Sequence, residues 1–263
     1  MTTATPGQSD TTTASQEESR QEGFRKIPPH TGVPAFLALL CGATYLWASS
    51  LQLDSLERRT LNYDYLQRAI LEHVKLSVVS IALVILIAIP LGILLTRSFA
   101  RWLTPVALGL ANVGQATPAI GLLVLMTLIF GIGFKIALIS IVAYAVLPVL
   151  RNTIVGINEV NPAMVEAAEG MGMGRWAVLF RIELPLAVPV IAAGVRIALV
   201  LVVAVATLAT FVNAGGLGDI LVTGIKLQRV SILVVGTVLA VTLALLADWL
   251  GGVIEDLLTP RGG

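Results

Sequence analysis

Long apolar runs, set apart by short polar segments, constrain this chain more than any other feature of its sequence. They cover residues 33–50, 74–96, 105–134, 136–150, 186–212 and 231–254. About 20 apolar residues in a helix match the ~30 Å hydrocarbon core of a bilayer. No water reaches the backbone N–H and C=O groups there, so a lone crossing segment of this length must be helical. Charged residues make up 13% of the chain and mean hydropathy is +0.89, whereas a soluble domain carries about 25% charged residues. The chain therefore reads as an all-α integral membrane protein with about six transmembrane helices, in contact with membrane lipid. A net charge of +1 leaves no basic face to displace phosphate counterions, which argues against a nucleic-acid partner.

Residues 1–32 are rich in Thr, Ser, Gln and Glu over most of their length and cannot offset ordering entropy by burial, so they read as a disordered cytoplasmic tail. The next run, with Arg25-Lys26 ahead of it and Ala48-Ser49-Ser50 at its end, fits a retained first helix. A cleaved signal peptide is the alternative, with an unusually long polar region before its core. Residues 51–72 read as an external, partly helical segment, which gives a first unit at 33–71. Pro90 and Gly92 should kink the second span. The run at 105–134 is too long for one straight crossing and is interrupted by Asn112, Gly114, Gln115, Thr117 and Pro118. Two crossings would need about 40 residues, so it reads as one kinked helix. The fourth span, 136–150, reads as short and ending at Pro148 and Arg151. Six crossings place both termini on one side. Cytoplasmic segments then hold Arg20, Arg25, Lys26, Arg97, Arg101, Arg151, Arg175, Arg181 and Arg261, against Arg58, Arg59, Arg68, Lys135, Lys226 and Arg229 outside. That bias is weak, so orientation rests on the loop between spans four and five.

In that loop Asn161-Pro162 is a helix start, with Asn able to accept early backbone N–H bonds and Pro pre-set for the first turn. About two helical turns should follow through Glu166, Ala167 and Ala168, ended by Gly170, Gly172 and Gly174. A second, amphipathic helix is expected over 175–183, with Trp176, Val178, Leu179, Phe180 and Ile182 in the membrane interface and Pro185 bending the chain into span five. The spacing Glu166-Ala167-Ala168, Gly172, Ile182-x-Leu184-Pro185 resembles the EAA loop of ABC importer permeases. Leu-Pro-Val-Leu-Arg-Asn-Thr at 147–153 and Ala-Gly-Gly-Leu-Gly-Asp at 214–219 extend the likeness over about 72–258. It is nearest to permeases of the glycine betaine/carnitine/choline (osmoprotectant) importers.

The resemblance implies a type I ABC importer permease fold with a cytoplasmic coupling helix: a core at 72–258, its EAA loop at about 156–185 and a tail at 259–263. It further implies that Asn161, Pro162, Glu166, Ala167, Ala168, Gly170, Gly172, Ile182, Leu184 and Pro185 couple to ABC ATPase subunits, which bind ATP and Mg. A substrate-binding protein would deliver cargo outside, and a second copy or a sister permease would complete the pathway in the cell membrane. A permease for another small substrate such as an amino acid, or a stand-alone secondary transporter, is the alternative.

Ionisable groups inside spans are costly and mark function by default. Arg196 and Asp248 fall at similar depth in spans five and six and could pair; the alternative is that Arg196 snorkels and Asp248 bonds water or backbone. Asn112, Gln115, Thr117 and Asn213, polar groups near helix breaks, are candidates for the translocation pathway, with helix–helix hydrogen bonding as the commoner use. Tyr144 could meet a quaternary ammonium through its ring face or simply pack. Trp47, Trp102, Trp176 and Trp249 suit interfacial anchoring. Cys41, His30 and His73 are isolated, so no metal site is expected. With no phosphate-loop motif and no catalytic cluster, the chain should hold no cofactor and catalyse no reaction itself.

Overall fold

The computed structural model describes residues 29–259. Residues 1–28 of the tail expected over 1–32 and residues 260–263 lie outside the described residues, Arg20, Arg25, Lys26 and Arg261 among them, while 29–32 are the first turn of a helix and not part of a tail. Every regular element among the described residues is helical. They are α1 (Pro29–Ser50), α2 (Ser55–Thr60), α3 (Tyr63–Thr96), α4 (Thr104–Ala116), α5 (Ala119–Phe130), α6 (Phe134–Asn158), α7 (Pro162–Gly170), α8 (Arg175–Val178), α9 (Leu184–Ala206), α10 (Leu217–Leu227) and α11 (Val230–Leu258). A π turn (Leu179–Glu183) joins α8 to α9, and a 3₁₀ turn (Thr207–Val212) follows α9. Five of the described helical runs are long and apolar enough to cross a membrane, and the α4–α5 pair is a possible sixth.

That pair corrects the expected single kinked third helix. Its two parts are bent by 100°, which makes a broken span or a re-entrant hairpin. The cause is Pro118: its ring disfavours helical backbone in the residue before it, and Thr117 is extended at φ −72°, ψ 133°.

The fourth span is longer than expected. α6 continues through Pro148 to Asn158, so Pro148 does not end it. A proline inside a helix survives where neighbouring helices hold it in place, and α9 packs directly over this turn. A Cβ on Gly194 of α9 would stand 2.9 Å from Pro148 O and 2.7 Å from Asn152 Cβ. The absent side chain lets the two backbones approach, the usual device of helix contacts in lipid.

The helix expected over 175–183, with a bend at Pro185, is also corrected. α8, the π turn, α9 and the 3₁₀ turn form one helical run, Arg175–Val212. Leu184 N–H donates to Leu179 O, an i→i+5 bond, and the widened turn takes up the Pro185 step that would otherwise bend the chain.

The core lies where α3, α6 and α9 meet, with Val84 and Ala88, Ile141, Ala145 and Val149, and Ala198 and Val202 buried together. α11 packs against α9 and α10, and α1 lies on α11 at the periphery. At 34 residues, α3 is about 51 Å long, so its first turns project beyond a ~30 Å hydrocarbon core. There Asp54 caps α2, accepting from Leu56 N and Glu57 N at 2.9 Å each, while Glu57 accepts from Asp54 N at 2.8 Å. Arg229 meets Asp54 at 2.6 Å and Ser231 donates to Glu57, which ties this cap to the α10–α11 turn.

Candidate functional site

α7 starts as a capped helix: Asn161 Oδ1 accepts from Ala163 N at 3.0 Å, with Pro162 in the first turn. Its end is closed by Met171 N to Ala167 O at 3.0 Å, Gly172 N to Glu169 O at 2.9 Å and Met173 N to Ala168 O at 3.1 Å. Of the three glycines, Gly172 alone is left-handed, at φ +87°. Gly170 is still helical and Gly174 precedes α8 in extended conformation. Asn161, Pro162, Glu166, Ala167 and Gly170 are exposed, with Met164 and Met171 beside them. Ala168 is 1% exposed, so the two alanines of the motif divide, one facing outward and one locking α7 onto the chain. Ile182 and Leu184 are half-buried in the π turn and the start of α9, and Pro185 is exposed. α7 rests mainly on α8 and the π turn.

Inside the membrane, Arg196 forms two parallel bonds to Asp248: Nε to Oδ1 at 2.8 Å and Nη2 to Oδ2 at 3.0 Å. Glu255, the first residue past the apolar run 231–254, also accepts from Arg196 Nη1, at 3.3 Å. The seven-residue interval from Asp248 puts both carboxylates on one helix face, and that interval was the available signal. A Cβ on Gly251 would lie 3.0 Å from Arg196 Cγ, so the glycine between the two carboxylates makes room for the arginine.

The pathway candidates do not share one kind of setting. Asn112 is exposed, Gln115 half-buried, and Thr117 turns its hydroxyl back on Val113 O at 2.9 Å. Asn213 ends the 3₁₀ turn in left-handed conformation, φ 57°, a backbone demand that Asn meets more readily than most residues. Tyr144 packs against the core. Trp102 and Trp176 are exposed, while Trp47 and Trp249 are less so.

Five interactions escaped the sequence. His73 is buried, with Nε2 at 3.1 Å from Val203 O and Nδ1 accepting from Leu217 N at 3.4 Å. Beside it Glu72 accepts from Gly216 N at 3.2 Å, and Gly216 has φ +95°. These bonds fix the 214–219 motif to α3, and the Thr210–Asp219 bond holds it to the 3₁₀ turn. Arg97 and Glu183 form an ion pair at the C-terminal end of α3. Among the described residues no His/Cys/Asp/Glu group could hold a metal ion.

A multi-pass helical core that presents one short, capped helix on a polar loop is the layout of a transport subunit. Comparisons with known proteins make this specific. Residues 88–259 match the model of the family described as "Binding-protein-dependent transport system inner membrane component". The chain is 39% identical over 202 residues to the carnitine transport permease protein OpuCD of Listeria monocytogenes, covering 76% of this chain and 89% of that one. It is 36% identical over 191 residues to the glycine betaine/carnitine/choline transport system permease protein OpuCB of Bacillus subtilis, covering 73% and 87%. Its fold is similar to that of a chain from inward-facing crystals of the MetNI methionine ABC transporter, with TM-score 0.64, 26% identity, and 74% and 96% covered. The chain belongs to the binding-protein-dependent transport inner-membrane components, among the osmoprotectant importer permeases. It is a multi-pass membrane protein with the type I ABC importer permease fold.

Proposed function

We propose that the chain forms the translocation pathway of an ATP-driven importer of quaternary-amine osmoprotectants such as glycine betaine, carnitine, choline or proline betaine. Power comes from a separate ATPase docked on α7. The observation that carries this reading is α7 itself: capped at Asn161, closed at Gly172, exposed at Glu166 and Ala167, and seated on the run that becomes α9. A helix offered to solvent yet joined rigidly to a span is a handle by which a soluble partner can move the membrane part.

In this reading the ATPase subunits bind ATP and Mg and hydrolyse the nucleotide. Closure of their dimer shifts α7, and a binding protein on the outer side supplies the cargo. A second copy, or a sister permease, faces this one across the pathway. The names of the relatives support the substrate class. Asn112, Gln115, Thr117 and Asn213 are proposed to contribute to the polar lining, and Arg196 with Asp248 to pin spans five and six. The test is uptake of labelled glycine betaine, carnitine and choline by cells carrying the complete importer. Mutual competition is expected, with loss of uptake and of ATPase co-purification in Glu166→Lys and Gly172→Trp. Uptake of none of the three would refute the substrate class, and normal ATPase binding by both variants would refute the docking site.

A further inference from the structure

We propose that the Arg97–Glu183 ion pair is a coupling strut that carries displacement of α7 into α3. The inference rests on the docking reading above and adds the route by which movement enters the membrane core. Arg97 Nη2 donates to Glu183 Oε2 at 2.7 Å, with the side chains 26% and 13% exposed. Arg97 is the residue at which α3 ends. Its guanidinium is aimed by bonds to Thr96 Oγ1 at 3.0 and 3.2 Å and to Ile93 O at 3.4 Å. Glu183 is the last residue of the π turn.

α7 rests on α8 and this same turn, so a load on α7 reaches the segment bearing Glu183 first. α3 in turn packs along α6 and α9. Between the end of α3 and the loop lies an open cavity of about 740 Å³, lined by Pro90, Ile93 and Leu94 on one side and Val178, Leu179 and Phe180 on the other. Apolar surfaces held apart by a gap forfeit their dispersion contact and transmit displacement poorly. A charge-assisted hydrogen bond at 2.7 Å is a direct, oriented contact across that place. The ion pair is thus the short, direct link at a place where side-chain packing is incomplete.

The test uses the complete importer in proteoliposomes. ATP hydrolysis is measured alongside uptake of whichever labelled amine, among glycine betaine, carnitine and choline, the unaltered protein imports fastest. Arg97→Glu and Glu183→Arg should keep ATPase co-purification and leave hydrolysis within about twofold, while amine moved per ATP falls about fivefold or more, the range of ordinary coupling energies. The double swap should regain about half of the lost uptake or more, since the reversed pair restores the attraction. Arg97→Gln, the milder change, should uncouple in the same sense. Unchanged uptake per ATP in the single variants, a swap without recovery, or a parallel fall of co-purification, hydrolysis and uptake in Arg97→Gln would each overturn the strut. Failure of the docking reading looks different: the ATPase would then stay bound when α7 itself carries Glu166→Lys or Gly172→Trp.

Discussion

Gly172 and its neighbours show how one backbone angle sorts residues that look alike in sequence. At φ +87° any L side chain meets its own carbonyl, at roughly 1–2 kcal/mol. A Cβ on Gly170, Gly172 or Gly174 would have nothing within 4 Å, so crowding is not the issue. Gly172→Ala should therefore weaken ATPase co-purification and loosen the turn, and Gly172→Asn should do so less. Gly174→Ala should be silent, and Gly170→Ala should stabilise α7 slightly, by up to about 1 kcal/mol. Hydrogen exchange at residues 168–174 reads the difference directly. Gly194 poses the opposite problem, since Pro148 O and Asn152 already occupy the space. Gly194→Val should separate α6 from α9 and lower thermal stability in detergent far more than Gly172→Ala does.

Two carboxylates at the α2 cap carry a pH signature. The Glu57 backbone N–H bound to Asp54 holds its carboxyl below the usual range, and the Ser231 hydroxyl does the same for Glu57. A carboxyl whose folded pKa is depressed stabilises above its unfolded value, and that stability is lost as pH falls through the folded value. The cap should hold at neutral pH and weaken progressively below about pH 4, where free carboxyls are roughly half protonated. Amide protection at residues 54–58 checks this, and Asp54→Asn should flatten the acid dependence.

At the scale of elements, what was legible depended on whether the cause was local. Asn161-Pro162 and the glycines at 170–174 give the limits of α7 because caps and left-handed exits are properties of single residues. The break at Thr117-Pro118 was visible too, but its angle was not. Length alone limits the number of crossings, while the 100° angle follows from the backbone at Thr117 and Pro118. Pro148 misled in the other direction, because α9 lies over that turn, a long-range contact that no window contains. The π turn has no sequence period of its own. Among the polar groups, the cost of charge in a span singles out Arg196 and Asp248, while Glu255 was hidden by its place near a span end. Asp248 takes two bonds from Arg196 and Glu255 one, so Asp248→Asn should impair assembly more than Glu255→Gln. An Arg196/Asp248 charge swap should recover assembly lost in either single reversal, read by the amount of monodisperse importer purified.

Across the whole molecule the parts divide into a membrane core, a cap at the N-terminal end of α3 and, at its other end, the exposed helix α7. The cap ties α2 to the α10–α11 turn, and the Glu72 and His73 bonds anchor the 214–219 motif to α3. At the opposite end α7 presents an exposed face, with Ala167 and Met164 on it. The central claim is that this face meets the ATPase, and site-specific photo-crosslinking in the assembled importer tests it most directly. A crosslinker at Ala167 or Met164 should capture the ATPase, whereas one at Ile225, exposed at the other end of the molecule, should not. Capture from Ile225 with none from Ala167 or Met164 would contradict the account.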